Sequence, residues 1–227
     1  MGSIRFLPRR LVIAVIVVLS LGWCGVANAH PHGWIDLGVR VILDDQGRVE
    51  ALHQRWLMDP FYSLVVLEEL GRAEGDASME ARLDQLGMEI RDNVAAQHYF
   101  TELTHDGHTV ALGEVKEYTV MQRGSRVEFS FVLPLETPLA LEGKAMQYQV
   151  FDPSYYIEIV HEAEDDETPR EDALVVVGAD IACTTRIEPA DPDPAKVTEA
   201  AMLDYDDQAE PGLGRFFAET GEVSCHG

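Results

Sequence analysis

Basic residues are scarce in this chain: 17 Lys and Arg stand against 40 Asp and Glu in 227 residues, a formal net charge of −23. Phosphate contacts require basic surface, so nucleic acid and anionic lipid are excluded as partners. Cysteine is as scarce, with three in the chain, and none stands in a CxxC pair that would suggest a thiolate-bound metal. The sequence also lacks GxSxG, HExxH and any phosphate-binding glycine loop, which leaves a hydrolase or a nucleotide enzyme without support. Long apolar runs are missing too, with one exception at the N-terminus.

That exception is Leu11 to Leu21, apolar apart from Ser20 and preceded by Arg5, Arg9 and Arg10. Ala27-Asn28-Ala29 follows with small residues at the two positions a signal peptidase reads. The run is shorter than the roughly 20 residues that span a bilayer, and bulky Trp23 before Cys24 disfavours lipid attachment there. The segment 1–29 therefore reads as a cleavable secretory signal. The working chain, 30–227, is expected to be a single exported domain, periplasmic or otherwise outside the cytoplasm and not membrane-spanning. Removing 1–29 takes away three arginines and no acid, which moves the net charge from −23 to −26. Such acidity suits cation-attracting surfaces or salty surroundings.

Cleavage leaves Cys183 and Cys225. Two cysteines in an oxidising compartment most simply form one disulfide. It would close a loop of about 40 residues and contribute roughly 3–4 kcal/mol on the loop-entropy model.

Alternating Ile35, Leu37, Val39, Val41 and Leu43 predict a half-buried strand, returned by Arg48 to Met58 after the turn Asp44-Asp45-Gln46-Gly47. Asp59-Pro60 is a helix start, since Asp accepts from free N–H groups and Pro suits the first helical position. A second helix after Asp76 carries Met79, Leu83, Leu86, Ile90 and Val94 at spacings of three and four. Residues 59–98 thus form a helical pair. Short strands separated by turns fill 99–187, with Asp106-Gly107 as a hairpin signal. The remainder, 188–227, reads as a Pro- and Asp-rich connector and a tail tied back by the disulfide. The fold class is α+β: a β-rich antiparallel sandwich with an inserted helical pair near the N-terminus.

Candidate chemistry concentrates at the new N-terminus. Cleavage gives His30 a free α-amine beside its imidazole, so one residue offers a metal two nitrogens. His30, His32 and Asp36 share parity along an extended strand. Nitrogen donors of this kind suit Cu(II), Ni(II) and Zn(II). Pro31 lacks an amide proton, which disfavours a square-planar site built from ionised backbone amides, so further ligands must come from elsewhere. Asp152, in Phe151-Asp152-Pro153-Ser154, has two readings: a turn cap, or a ligand brought beside the histidines. A frayed, idle terminus is the bland alternative.

The His30-Pro31-His32 start, Asp59-Pro60-Phe61-Tyr62-Ser63, Tyr99-Phe100-Thr101 and Asp152-Pro153-Ser154-Tyr155-Tyr156 resemble a bacterial family of exported proteins of unknown function. Its members are labelled periplasmic components of an uncharacterised transport system and are associated with nickel/cobalt-type metal transporters. The resemblance covers essentially the whole mature chain. It implies a non-catalytic metal-binding or metal-delivery accessory handling Ni, Co, Cu or Zn, with an inner-membrane metal transporter as partner. Two other classes stay open: a copper-dependent oxidative enzyme using the N-terminal histidine chelate, and a transporter-docking module without metal.

Overall fold

In the computed structural model, residues 31–164, 168–203, 209 and 211–226 are described. The signal reading over 1–29, and His30 itself, lie outside the described residues. In chain order the strands are β1 (Gly33–Leu43), β2 (Val49–Met58), β3 (Thr101–His105), β4 (His108–Thr109), β5 (Glu117–Arg123), β6 (Arg126–Leu139), β7 (Met146–Val150), β8 (Ile157–His161), β9 (Leu174–Val177), β10 (Ala182–Glu188) and β11 (Thr220–His226). The helices are α1 (Pro60–Arg72), α2 (Met79–Ala95) and α3 (Pro194–Ala201). The chain is an α+β protein with two sheets and a helical pair near its start, as its sequence pattern implies.

One sheet runs β5-β6-β2-β1-β8, with β9 also on β1. The other runs β10-β11-β7-β3-β4. β2 lies antiparallel along one edge of β1, from Ile35 opposite Met58 to Ile42 opposite Ala51. The other edge is shared by β8 and β9, and both run parallel to β1. These two pairings depart from the antiparallel pattern of the sequence reading. Parallel strands need a crossover, and the chain makes one here: β7 belongs to the second sheet and β8 to the first.

The alternation predicted for β1 puts Ile35, Leu37, Val39, Val41 and Leu43 inside. Trp56, Phe129 and Phe131 join them from β2 and β6, and Leu103, Met146, Tyr148 and Val223 meet them from the second sheet. The helical pair covers the rest of that face. Gly87 in α2 lets the helix lie close: a β-carbon there would fall 2.9 Å from Val120 and 3.0 Å from Tyr118. Asp59 caps α1 by accepting from the N–H groups of Phe61 and Tyr62, and Ser78 caps α2 by accepting from Ala81.

Cys183 and Cys225 stand opposite each other on β10 and β11 and are joined by a disulfide. The segment read as a tail holds more than that bridge: α3 lies in it, and β11 is an interior strand between β10 and β7. No helix among the described residues is long and apolar enough to cross a membrane.

Candidate functional site: a cleft at the start of β1

Between the first turns of α1, the far half of α2 and the first residues of β1 lies a cleft of about 480 Å³. That size is within the usual range for small-molecule pockets. Ile35 and Trp56 form a buried floor, and Ile90 and Val94 on α2 form a wall. Trp34, Tyr62 and Tyr156, each 43% exposed, and the more exposed Phe61 stand at the rim.

A buried polar chain sets the floor. Thr101 Oγ1 donates to the Tyr99 carbonyl at 2.9 Å and accepts from Gln54 Nε2 at 2.8 Å. Gln54 Oε1 in turn accepts from Trp56 Nε1 at 2.9 Å. Every group of this wholly buried glutamine's chain has a partner, so the indole is fixed in orientation without an unsatisfied donor. Phe100 lies parallel to Trp56, ring centroids 5.8 Å apart. It is delivered there by three successive residues with left-handed backbone, His98, Tyr99 and Phe100, at φ 50, 54 and 58. Such a run in non-glycine residues is costly. Tyr99 holds it, its buried hydroxyl accepting from the Val115 N–H at 3.1 Å.

The sequence-predicted metal ligands fall around this cleft with unequal fates. His32 lies on its rim. Its backbone N–H donates to the Tyr156 carbonyl at 2.9 Å, and its ring packs on the Tyr156 ring at 4.4 Å. Asp152 belongs to the turn just before Tyr156, so the structure does bring that turn to the histidine. The carboxylate, however, faces its own loop. Oδ1 accepts from Ser154 N and Oγ at 2.9 and 2.8 Å, and Oδ2 accepts from Tyr156 N and Ile157 N at 3.0 and 3.1 Å. Asp36 is paired with Arg126 at 2.5 Å, whose guanidinium also donates to the carbonyls of Met58 and Leu57. Among the described residues no group of three or more His, Cys, Asp and Glu is placed to hold a metal ion. Of the proposed donors, then, Asp36 is held by Arg126 and Asp152 by its own turn, His32 is seated on Tyr156, and His30 lies outside the described residues.

Asp59 was legible only as a helix cap, and the structure gives it a second role in lining the cleft. Only 7% exposed, it uses Oδ1 for the two N–H groups of α1, at 2.9 Å each. Among the described residues Oδ2 takes no hydrogen bond. It lies over Gly33, where a β-carbon would come within 2.8 Å of it. Its charge is felt nearby: burial first, then Asp59 and Glu69, push the Tyr62 hydroxyl above the ordinary phenol range.

A second polar cluster, outside the cleft, joins the two sheets. Buried His161 sits between Tyr148 and Glu219, with Nε2 2.7 Å from the phenol oxygen and Nδ1 2.8 Å from Oε2. The His161 backbone N–H also donates to Oε2, at 2.6 Å. Burial, then Glu219, push the Tyr148 hydroxyl far up. Tyr148 is 1% and His161 3% exposed, so both rings lie in the core where the two sheets meet.

The chain is thus a two-sheet α+β protein with an aromatic cleft at the head of its first strand. The chain belongs to the family described as "Protein of unknown function (DUF1007)", whose model matches residues 15–225. It is also similar to an uncharacterised protein of Haemophilus influenzae, 26% identical over 136 residues, or 59% of this chain and 63% of that protein. The match therefore spans less than two thirds of that relative's length.

Proposed function

We propose that this protein works outside the cytoplasm, after removal of 1–29, as a non-catalytic binding protein that holds a divalent transition metal at its His30-Pro31-His32 start. The observation that carries the reading is the seating of His32. Its backbone is bonded to Tyr156 and its ring is packed on the Tyr156 ring, so the terminus is anchored two residues after His30. A chelate at the cleft rim would use the His30 amine and imidazole with His32. Asp36 and Asp152 do not fit as ligands, because Arg126 and the 152–157 turn already occupy them. The acidic exported chain, net −26 once the three arginines of 1–29 are removed from the full chain's −23, raises the local concentration of cations. Delivery to a membrane metal transporter is the finer part of the same proposal and rests on the family resemblance alone.

Calorimetric titration with Cu(II), Ni(II) and Zn(II) tests it. The exported chain should bind one ion tightly, and His32→Ala should weaken binding. Retaining one extra alanine before His30 keeps every side chain but turns the amine into an amide, and should abolish the chelate. Equal affinity of the native and extended chains would overturn the reading.

A further inference from the structure

The cleft holds one feature that neither a packing role nor the metal reading uses: a fixed carboxylate oxygen, on a residue only 7% exposed, lining an otherwise apolar, aromatic space. We infer that the cleft is a binding site for a small organic cation, an amine or ammonium nitrogen on an aromatic or branched apolar body, with the nitrogen on Asp59 Oδ2. This inference does not depend on the metal.

Three observations carry it. First, the geometry leaves Oδ2 open by construction. Oδ1 is held by the first turn of α1, which fixes the carboxylate, and Gly33 supplies no side chain where one would meet Oδ2. At 7% exposure, Asp59 meets little water that could take the place of a ligand donor. An ammonium N–H is the donor that such an oxygen binds best, through a charge-assisted hydrogen bond.

Second, the surroundings suit a cation with an apolar body and little else. Trp34, Phe61, Tyr62 and Tyr156 at the rim offer ring faces that attract a cationic nitrogen within about 6 Å. Ile35, Trp56, Ile90 and Val94 offer apolar surface and no hydrogen bonds to a hydrophilic ligand. Third, charge complementarity selects the sign. The cleft is lined by no Lys or Arg, so an anionic ligand would bring its charge against Asp59 with nothing to offset it. Asp59 Oδ2 by itself gives a metal ion a single ligand, whereas these ions take four or more, so this oxygen is not explained by the metal at the terminus.

The test uses the exported protein with a chelator present, so that metal at the terminus plays no part. Three probes share one shape and differ in charge: phenethylamine, 2-phenylethanol and phenylacetate. Phenethylamine should bind at a single site, about tenfold or more tighter than the alcohol, the scale of one hydrogen bond to a charged group. Phenylacetate should give no binding. Asp59→Asn removes the charge but keeps the helix cap, since Asn and Asp cap equally well. In that variant the amine should fall to the affinity of the alcohol, while the alcohol is unchanged. Gly33→Ala should weaken the amine by displacing Oδ2. Equal binding of amine and alcohol to the native chain, retention of the amine preference in Asp59→Asn, or no binding of either probe would each overturn the inference. The native-chain comparison needs no variant to fold.

Discussion

Gly221 of β11 stands directly opposite Tyr148 of β7, and the Tyr148 ring occupies the space its side chain would fill: a β-carbon there would sit 2.2 Å from the ring. This lays the phenol along the second sheet and points its oxygen at His161 of the first. In the neutral tautomer whose Nδ1–H donates to the Glu219 carboxylate, Nε2 accepts from the Tyr148 hydroxyl. Two substitutions separate the two halves of the arrangement. Tyr148→Phe keeps the ring and strands Nε2 without a donor, which should cost about 1–3 kcal/mol. Gly221→Ala displaces the ring itself and should cost at least as much, as overpacked cores do. Urea unfolding measures both, and a double variant should be less damaging than the sum, because the ring and its hydroxyl act as one unit.

Glu158 gives the protein a pH dependence opposite to the usual carboxylate case. Burial, then Glu219, raise its carboxyl above its ordinary value of 4.5. The folded chain therefore holds this proton more tightly than the unfolded chain does. Stability from this group is fully present below about pH 4.5 and is lost as pH rises through the higher folded value. Glu158→Gln should match the native protein at pH 4 and exceed it at pH 7. Chemical unfolding across that range checks the crossing, and a constant difference at all pH values would show that Glu158 is not the group responsible.

The disulfide between Cys183 and Cys225 closes over a sequence separation of 42 residues. On the loop-entropy model its reduction should lower stability by about 3–4 kcal/mol. Because β11 is an interior strand of its sheet, the loss should be read as global unfolding rather than release of the last residues. Unfolding curves with and without reductant measure the difference, and peptide mapping identifies the linked pair.

The first half of the chain was legible because its signals are local. The alternation in β1 and the Asp59-Pro60 start appear in the structure where the pattern placed them, and the second helix, expected after Asp76, begins at Met79 with Ser78 as its cap. β11 was not legible, for a reason visible at Gly221. Its inward positions are Gly221, Val223 and Cys225, and the first carries no apolar side chain because Tyr148 supplies the bulk from across the sheet. Parallel pairing of β8 and β9 with β1 is likewise a property of distant strands that no local pattern encodes. The left-handed run His98-Tyr99-Phe100 is held by a bond from Val115, sixteen residues beyond Tyr99. At the site, residue types were readable and directions were not. Asp152 and Asp36 are carboxylates near the head of β1, but Ser154 and Arg126 decide where their oxygens point.

Asp152→Ala distinguishes a turn residue from a metal ligand in one variant. The carboxylate accepts from the N–H groups of Ser154, Tyr156 and Ile157 and from the Ser154 hydroxyl. Removing it leaves those donors without their partner in a loop that is packed closely elsewhere. Gly214 lies so near the Asp152 carbonyl that a β-carbon there would come within 1.9 Å of it. Tyr155, in left-handed backbone at φ 54, stacks on Phe217 with ring centroids 4.1 Å apart. The loop therefore cannot relax freely, and the variant should lose about 1–3 kcal/mol in urea unfolding. Asp152→Asn, which keeps acceptor capacity at one oxygen only, should fall between the two. If the metal is held by His30 and His32, both variants should keep the metal stoichiometry and differ from the native chain only through the looser seat of Tyr156 under His32. A complete loss of metal binding in a folded Asp152→Ala protein would instead make Asp152 a ligand and require its carboxylate to turn out of the loop.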